Sequence, residues 1–271
     1  MLSEKQKLIT YRLPLSAKEI MSDTIKRFTN RVEDYVKYRP NYPNKVLDLF
    51  VSEMNFRASS VVADIGSGTG ISARMFLENG NTVFGVEPNA PMRAAAEKFL
   101  ADFPKFRSVE GTAENTKLAD KSVDFVVSAQ AFHWFDRMQT RKEFERILNG
   151  EGLVALIWNE RQLDTTAFLR GYESLLIEFG TDYETVRHEN ITKETLQDFF
   201  QTDFRQAVFQ NKQTVDFEGL KGRMLSSSYI PSKEDLRFEE MLENLETLFA
   251  EHAENGKIDI FYTTKVFYGQ I

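Results

Sequence analysis

The sequence predicts a doubly wound α/β fold, and three observations carry that expectation. Between about residues 46 and 160, short apolar runs alternate with helical patterns, which implies parallel strands with helices on both faces. The first apolar run ends in "GSGTG" (66–70), a glycine-rich turn that opens straight into a helix. The chain closes on "KIDIFYTTKVFYGQI", whose aromatic and β-branched residues read as a strand.

Each element has its own warrant. "SVVADIG" (60–66) is short, β-branched and ended by glycine, so it reads as a buried strand. "ISARMFLENG" (71–80) has helical spacing and stops at Gly80. "TVFGVE" (82–87) is a second strand. "APMRAAAEKFLADF" (90–103) is an alanine-rich helix that tolerates Pro91 in its first turn. "FRSVEG" (106–111) and "SVDFVVSA" (122–129) are the third and fourth strands. "MQTRKEFERILNGEG" (138–152) reads as a helix ended by glycine, and "LVALIW" (153–158) as the fifth strand. Beyond Trp158, residues 164–179 and 192–201 look helical, 204–215 strand-like, and 217–225 and 233–254 helical again. In the last helix Leu236, Met241, Leu242, Leu245, Leu248 and Phe249 form an apolar stripe, and the acids form its solvated face.

This order predicts four regions. Residues 1–45 form an N-terminal extension and helical cap. Residues 46–160 form the ligand-binding core. Residues 161–256 form a helical lid insertion with one core strand near 204–215, and 257–271 supply the final core strand. Residues 1–20 read as a loosely attached extension, because Met21 would itself make a sensible start. No apolar run approaches the length that spans a bilayer, and the first residues resemble neither a signal peptide nor an anchor. The expectation is a cytoplasmic monomer or homodimer.

Composition removes several function classes. A net charge of −7 disfavours a general nucleic-acid binder, which shows a basic stripe. With no cysteine, there is neither a disulfide framework nor a thiolate site. His133, His188 and His252 lie far apart and lack metal-ligand spacing, so no metal is expected.

The glycine turn is the most informative stretch. A dinucleotide fingerprint would need glycine at 71, where Ile71 stands. Asp64 precedes the turn, and a pyrophosphate there would meet its charge in a site of reduced dielectric, a repulsion of several kcal/mol before screening. A ligand with an ammonium end suits Asp64 better. Glu87, at the end of the second strand, is placed to accept hydrogen bonds from ribose hydroxyls and fits either ligand.

"VVADIGSGTG", "VFGVEPNAPM", "GTAEN" and "SVDFVVSAQAFHWFD" together resemble the class I S-adenosylmethionine-dependent methyltransferases, and more narrowly the small-molecule group labelled methyltransferase type 11. "YVKYRPNYP" (35–43) and "SSSYIP" (226–231) resemble segments of the same group. The resemblance covers roughly residues 25–160. It implies a Rossmann-like seven-stranded sheet with its last strand antiparallel, and S-adenosyl-L-methionine as cofactor. Asp64, Gly66, Ser67, Gly68 and Gly70 would surround the methionine half. Glu87 would hold the ribose, with Pro88 and Asn89 shaping the wall, and Thr112, Ala113 and Glu114 would border the adenine. Gln130 and Ala131 would stand where cofactor meets acceptor. Arg39 would pair with the cofactor's carboxylate, or else bond surface acids or backbone carbonyls.

On the acceptor side, His133 is a candidate general base or a pocket-lining residue. Trp134 and Trp158 would offer aromatic faces or pack the core. Tyr35, Tyr38 and Tyr42 would line the lid or pack it against the core. Asn159, Arg161 and Tyr229 would touch substrate, Arg161 through a carboxylate. The expected reaction is in-line methyl transfer to a small-molecule acceptor. Two alternatives stay open: a non-catalytic S-adenosylmethionine-binding regulator, and an NAD-dependent oxidoreductase, against which Asp64 and Ile71 count.

Overall fold

The computed structural model describes residues 36–181, 183, 191–227 and 229–271. Tyr35 and most of the predicted N-terminal extension lie outside the described residues.

A seven-stranded sheet, in the order β3-β2-β1-β4-β5-β7-β6, organises the chain. Its strands are β1 (Val61–Ile65), β2 (Thr82–Val86), β3 (Phe106–Val109), β4 (Val123–Ala129), β5 (Leu148–Arg161), β6 (Phe204–Val215) and β7 (Ile258–Gly269). Strands β1 to β5 pair in parallel, whereas β7 runs antiparallel to both β5 and β6. The strand order reverses between β1 and β4. That is the switch point at which helices leave for opposite faces and a crevice opens.

The helices are α1 (Lys45–Glu53), α2 (Ile71–Glu78), α3 (Ala90–Phe99), α4 (Arg137–Ile147), α5 (Ala167–Phe179), α6 (Lys193–Phe200), α7 (Phe217–Leu225) and α8 (Phe238–His252). Their starts follow the local chemistry. Asn89, Asp136, Thr166, Thr192 and Asp216 each accept a backbone N–H with the side chain.

Strand alternation divides the core. Val62, Phe125, Val127, Ala155 and Ile157 face α1 and α2, with Phe50 and Phe76 packed on them. Ala63, Ile65, Val126, Val154 and Leu156 face the other way, onto Phe144 of α4 and Phe199 of α6. A third cluster joins α5, α7 and α8 over the start of β7.

Two expectations need correction. The helix predicted over 138–152 ends at Ile147. Leu148 pairs with Val123, and a register shift along β4 absorbs the residues before Leu153, so the glycines sit within an irregular strand. Leu236 does not join the apolar stripe. It is 99% exposed, because α8 begins only at Phe238 and buries Phe238, Met241 and Leu245.

Candidate functional site

Asp64 comes from the end of β1 and is fully buried. Its Oδ2 accepts the Ser72 hydroxyl at 2.7 Å, whereas Oδ1 accepts no hydrogen bond among the described residues. Burial pushes this carboxyl up to about 7; the Ser72 hydrogen bond and, more weakly, the nearby Ala73 N–H oppose the rise, and the charge of Glu87 adds to it. An ammonium group beside Oδ1 would supply the missing donor and the missing charge together.

The glycine turn is fastened to the end of β2. Gly66 and Ser67 both donate their N–H to the Val86 carbonyl, at 2.9 and 3.2 Å. Gly68 has φ +55, and a Cβ built there meets nothing within 4 Å, so its face is open to a ligand's close approach. Gly66 serves differently. A Cβ on it would come within 2.5 Å of the Ala131 Cβ, so glycine lets the loop after β4 close against the turn. Gly70 leads into α2.

Glu87 is also buried. Its Oε2 accepts the Gly68 N–H at 3.0 Å and its Oε1 accepts the Asn89 N–H at 2.9 Å. Burial raises its pKa, and these two hydrogen bonds oppose the rise. Pro88 stands between, and Asn89 caps α3 by accepting the Met92 N–H at 3.2 Å. Arg93 donates to the carbonyls of Glu87 and Pro88, both at 2.9 Å.

The loop carrying Thr112, Ala113 and Glu114 is tied down on two sides. Thr112 bridges to Asn115, Ala113 is buried, and Glu114 accepts the Asp136 N–H at 3.0 Å. Beneath it, Glu143 accepts the Thr116 N–H and hydroxyl, at 2.7 and 2.6 Å. Burial disfavours the Glu143 charge, but hydrogen bonds from Arg146 and Thr116 outweigh it and hold the carboxyl below its usual range. Gln130, at the end of β4, has φ +60, an uncommon conformation without glycine. Its N–H reaches the Ile157 carbonyl and its side chain the Asn159 carbonyl, each at 2.9 Å. His133 and Trp134 follow in a half-buried 3-10 turn, their rings 4.8 Å apart.

The structure therefore gathers Asp64, the glycine turn, Glu87 to Asn89, Thr112 to Glu114 and Gln130 along one edge of the sheet. Ser72, Arg93 and Glu143 support that edge and were not foreseen. The available signal was a polar residue in the first turn of α2 and of α3; for Glu143 there was none.

Of the other residues expected on the acceptor, Trp158, Asn159 and Arg161 lie on the last part of β5, and several are differently employed. Trp158 is a core residue at 2% exposed, edge-on to Phe132 and Phe267, so its faces are spent on packing. Asn159 is a junction. It accepts the Thr264 hydroxyl at 2.5 Å and a bond from Asn211, and it donates to the Asn41 carbonyl at 3.3 Å. Arg161 forms a part-buried ion pair with Glu173, donates to the Tyr183 hydroxyl at 3.0 Å and lies 5.0 Å over the Tyr172 ring. Tyr229 packs 4.8 Å from Tyr183. Arg39, expected on the cofactor or on surface acids or backbone carbonyls, donates to the Ser226 carbonyl of the insertion at 2.9 Å. Tyr38 lies against Gly222 of α7, where no Cβ would fit, and Tyr42 packs on the α1 side of the core. Among the described residues no cluster of three or more His, Asp or Glu is set to hold a metal ion, and no helix is long and apolar enough to cross a membrane.

Comparison with known proteins adds to this geometry. A family model described as a methyltransferase domain matches residues 63–156, the span from β1 to β5. An uncharacterised methyltransferase of Geobacillus sp. is 31% identical over 163 residues, covering 56% of this chain and 73% of that protein. A methyltransferase-like protein of Schizosaccharomyces pombe is 31% identical over 159 residues, 58% of this chain and 60% of its own length. The chain spans between about half and three-fifths of the first curated relatives it matches. Among solved structures, a chain from Anaeromyxobacter dehalogenans provisionally named a type II methyltransferase superposes with TM-score 0.62 at 17% identity, over 86% of this chain and 98% of that one, a likeness of fold.

Proposed function

The chain belongs to the class I S-adenosylmethionine-dependent methyltransferases, and on that premise we propose that it transfers a methyl group from S-adenosylmethionine to a small-molecule acceptor. Asp64 is the observation that carries this reading. Its buried, half-satisfied carboxylate fits the cofactor's amino group and repels a pyrophosphate. The open face of Gly68 is a cradle that a Cβ would fill.

When bound, the cofactor supplies a methyl group already activated by its sulfonium, so alignment and exclusion of water are the protein's main tasks. Asp64, Ser67 and Gly68 would grip the methionine half. Glu87 keeps spare lone pairs after its two backbone hydrogen bonds, and these would accept the ribose hydroxyls. Pro88 and Asn89 would wall the ribose, and Thr112, Ala113 and Glu114 would border the adenine. Gln130, His133 and Trp134 would stand where cofactor and acceptor meet. His133 would take a proton only from a nucleophile that carries one.

Calorimetry with S-adenosylmethionine, S-adenosylhomocysteine and NADH tests the ligand. Transfer of labelled methyl to a panel of small acids, phenols and amines tests the reaction. Binding of both S-adenosyl compounds without NADH is expected, with turnover of one acceptor class. NADH binding alone would sink the proposal. Tight binding with no transfer to any acceptor would leave a regulator in its place.

A further inference from the structure

The loop between β3 and β4 closes around Thr116, which is fully buried. Its N–H and its hydroxyl both donate to Glu143 Oε1, at 2.7 and 2.6 Å. The hydroxyl oxygen also accepts the Leu118 N–H at 3.2 Å. A Cβ on Gly111 would come within 2.7 Å of the Thr116 carbonyl, so the loop folds back on this residue where only glycine fits.

Helix α4 grips that loop at successive levels. Before its first turn, the Asp136 N–H donates to Glu114 Oε1 at 3.0 Å. About two turns on, Glu143 holds Thr116. A turn further, Arg146 donates to the Leu118 carbonyl and to both oxygens of Glu143, each at 2.8 Å. Glu143 thus accepts hydrogen bonds on both oxygens from two residues, and it is buried beneath the loop. It acts through Thr116 and not by contact with a ligand. Stability alone does not ask for this arrangement. A buried ion pair is often matched by apolar packing of similar volume, whereas directional bonds fix one orientation of the loop.

We propose that Glu143 is a positioning residue that sets which purine the cofactor site accepts, by fixing Thr116 and with it the nearby Glu114. This rests on the reading above that Thr112, Ala113 and Glu114 border the adenine. Glu114 uses Oε1 on the Asp136 N–H, and its Oε2 has no partner among the described residues. A carboxylate oxygen suits the 6-amino group of adenine, a donor, and repels the 6-oxo group of hypoxanthine, an acceptor. Discrimination between the two then depends on where the loop holds that oxygen. In Glu143→Gln an amide nitrogen replaces one oxygen, so Thr116 or Arg146 meets a donor in place of its acceptor. The loop keeps its sequence and loses its fixed position.

The test is calorimetry on the full chain with S-adenosylhomocysteine and S-inosylhomocysteine. The wild-type protein should prefer the adenosyl compound by about tenfold or more, as one hydrogen bond to a charged group provides. Glu143→Gln should narrow that preference to about threefold or less. Thr116→Val, which keeps the N–H and removes the hydroxyl, should narrow it part-way. Thr116→Ser, which keeps both donors, should retain it. A merely structural Glu143 would lower stability, or weaken both compounds equally, and leave the ratio unmoved; that result overturns the proposal. Equal binding of the two compounds by the wild-type protein, an unchanged ratio in Thr116→Val, or a lost preference in Thr116→Ser would also overturn it. If Glu143→Gln does not fold, the two Thr116 variants decide. Failure of the wild-type protein to bind either compound would overturn the methyltransferase reading itself, a separate result.

Discussion

Replacing Asp64 with asparagine should strengthen the empty protein while destroying its ligand site. The Asp64 carboxyl stands at about 7 in the folded chain against 3.8 when unperturbed, chiefly because burial disfavours its charge. Below pH 3.8 both states hold the proton and folding gains or loses nothing. Between 3.8 and about 7 the unfolded chain ionises first, so the folded state loses stability as pH rises. Above that range the loss is constant, about 4 kcal/mol for roughly three pKa units. Asparagine removes this cost but brings an Nδ2 donor to the place where Oδ1 now lacks a partner, at about 1–3 kcal/mol. The net gain at pH 8 is therefore about 1–3 kcal/mol, a Tm rise of about 2–12 °C at ~2–4 °C per kcal/mol. At acid pH the gain should vanish or reverse. Thermal scans of both proteins from pH 4.5 to 8.5 without ligand measure this directly. The same carboxylate must ionise to hold an ammonium group. Wild-type affinity for S-adenosylhomocysteine should thus fall on the order of 20-fold from pH 7.5 to 5.5, and the variant should bind weakly at every pH. A stability gain over wild type no larger at pH 8 than at pH 5, or a variant that retains wild-type affinity, would refute the reasoning.

Three further outcomes are expected. Gly68→Val places a β-branched side chain at φ +55 and fills the open cradle; calorimetry should find no S-adenosylhomocysteine binding, with stability lower by about 1–3 kcal/mol. His133→Ala should leave that affinity unchanged and slow turnover by about 10²-fold or more only for acceptors that must lose a proton; equal rates on a phenol would exclude His133 as a base. Glu173→Gln strips the half-buried Arg161 of its counter-charge and should cost on the order of 3 kcal/mol, read as a lower denaturation midpoint in urea.

The order of elements along the core was legible because its signals are local. Val61–Ile65 and Val123–Ala129 are short β-branched runs closed by turns, and Ala90–Phe99 carries its own cap. The glycine turn, Asp64 and Glu87 were legible for a related reason: each sits at a fixed offset from a strand end, so the fold pattern also places them. Helix α4 was overextended because glycines at 150 and 152 look like a helix stop, whereas the β4–β5 pairing that ends it is set by Val123, far off in sequence.

By itself, then, the sequence determined a doubly wound sheet and an edge suited to a ligand with a cationic amino-acid end. Only the tertiary structure decided what three of its arginines do. Arg39, Arg161 and Arg223 are alike in sequence. One fastens the N-terminal segment to the insertion, one is neutralised by Glu173, and one is buried against neutral hydroxyls alone. That difference arises when β7 inserts antiparallel between β5 and β6 and when α5 and α7 fold over its start. A buried charge is fixed by the neighbours that exclude water from it, and here those neighbours come from distant parts of the chain.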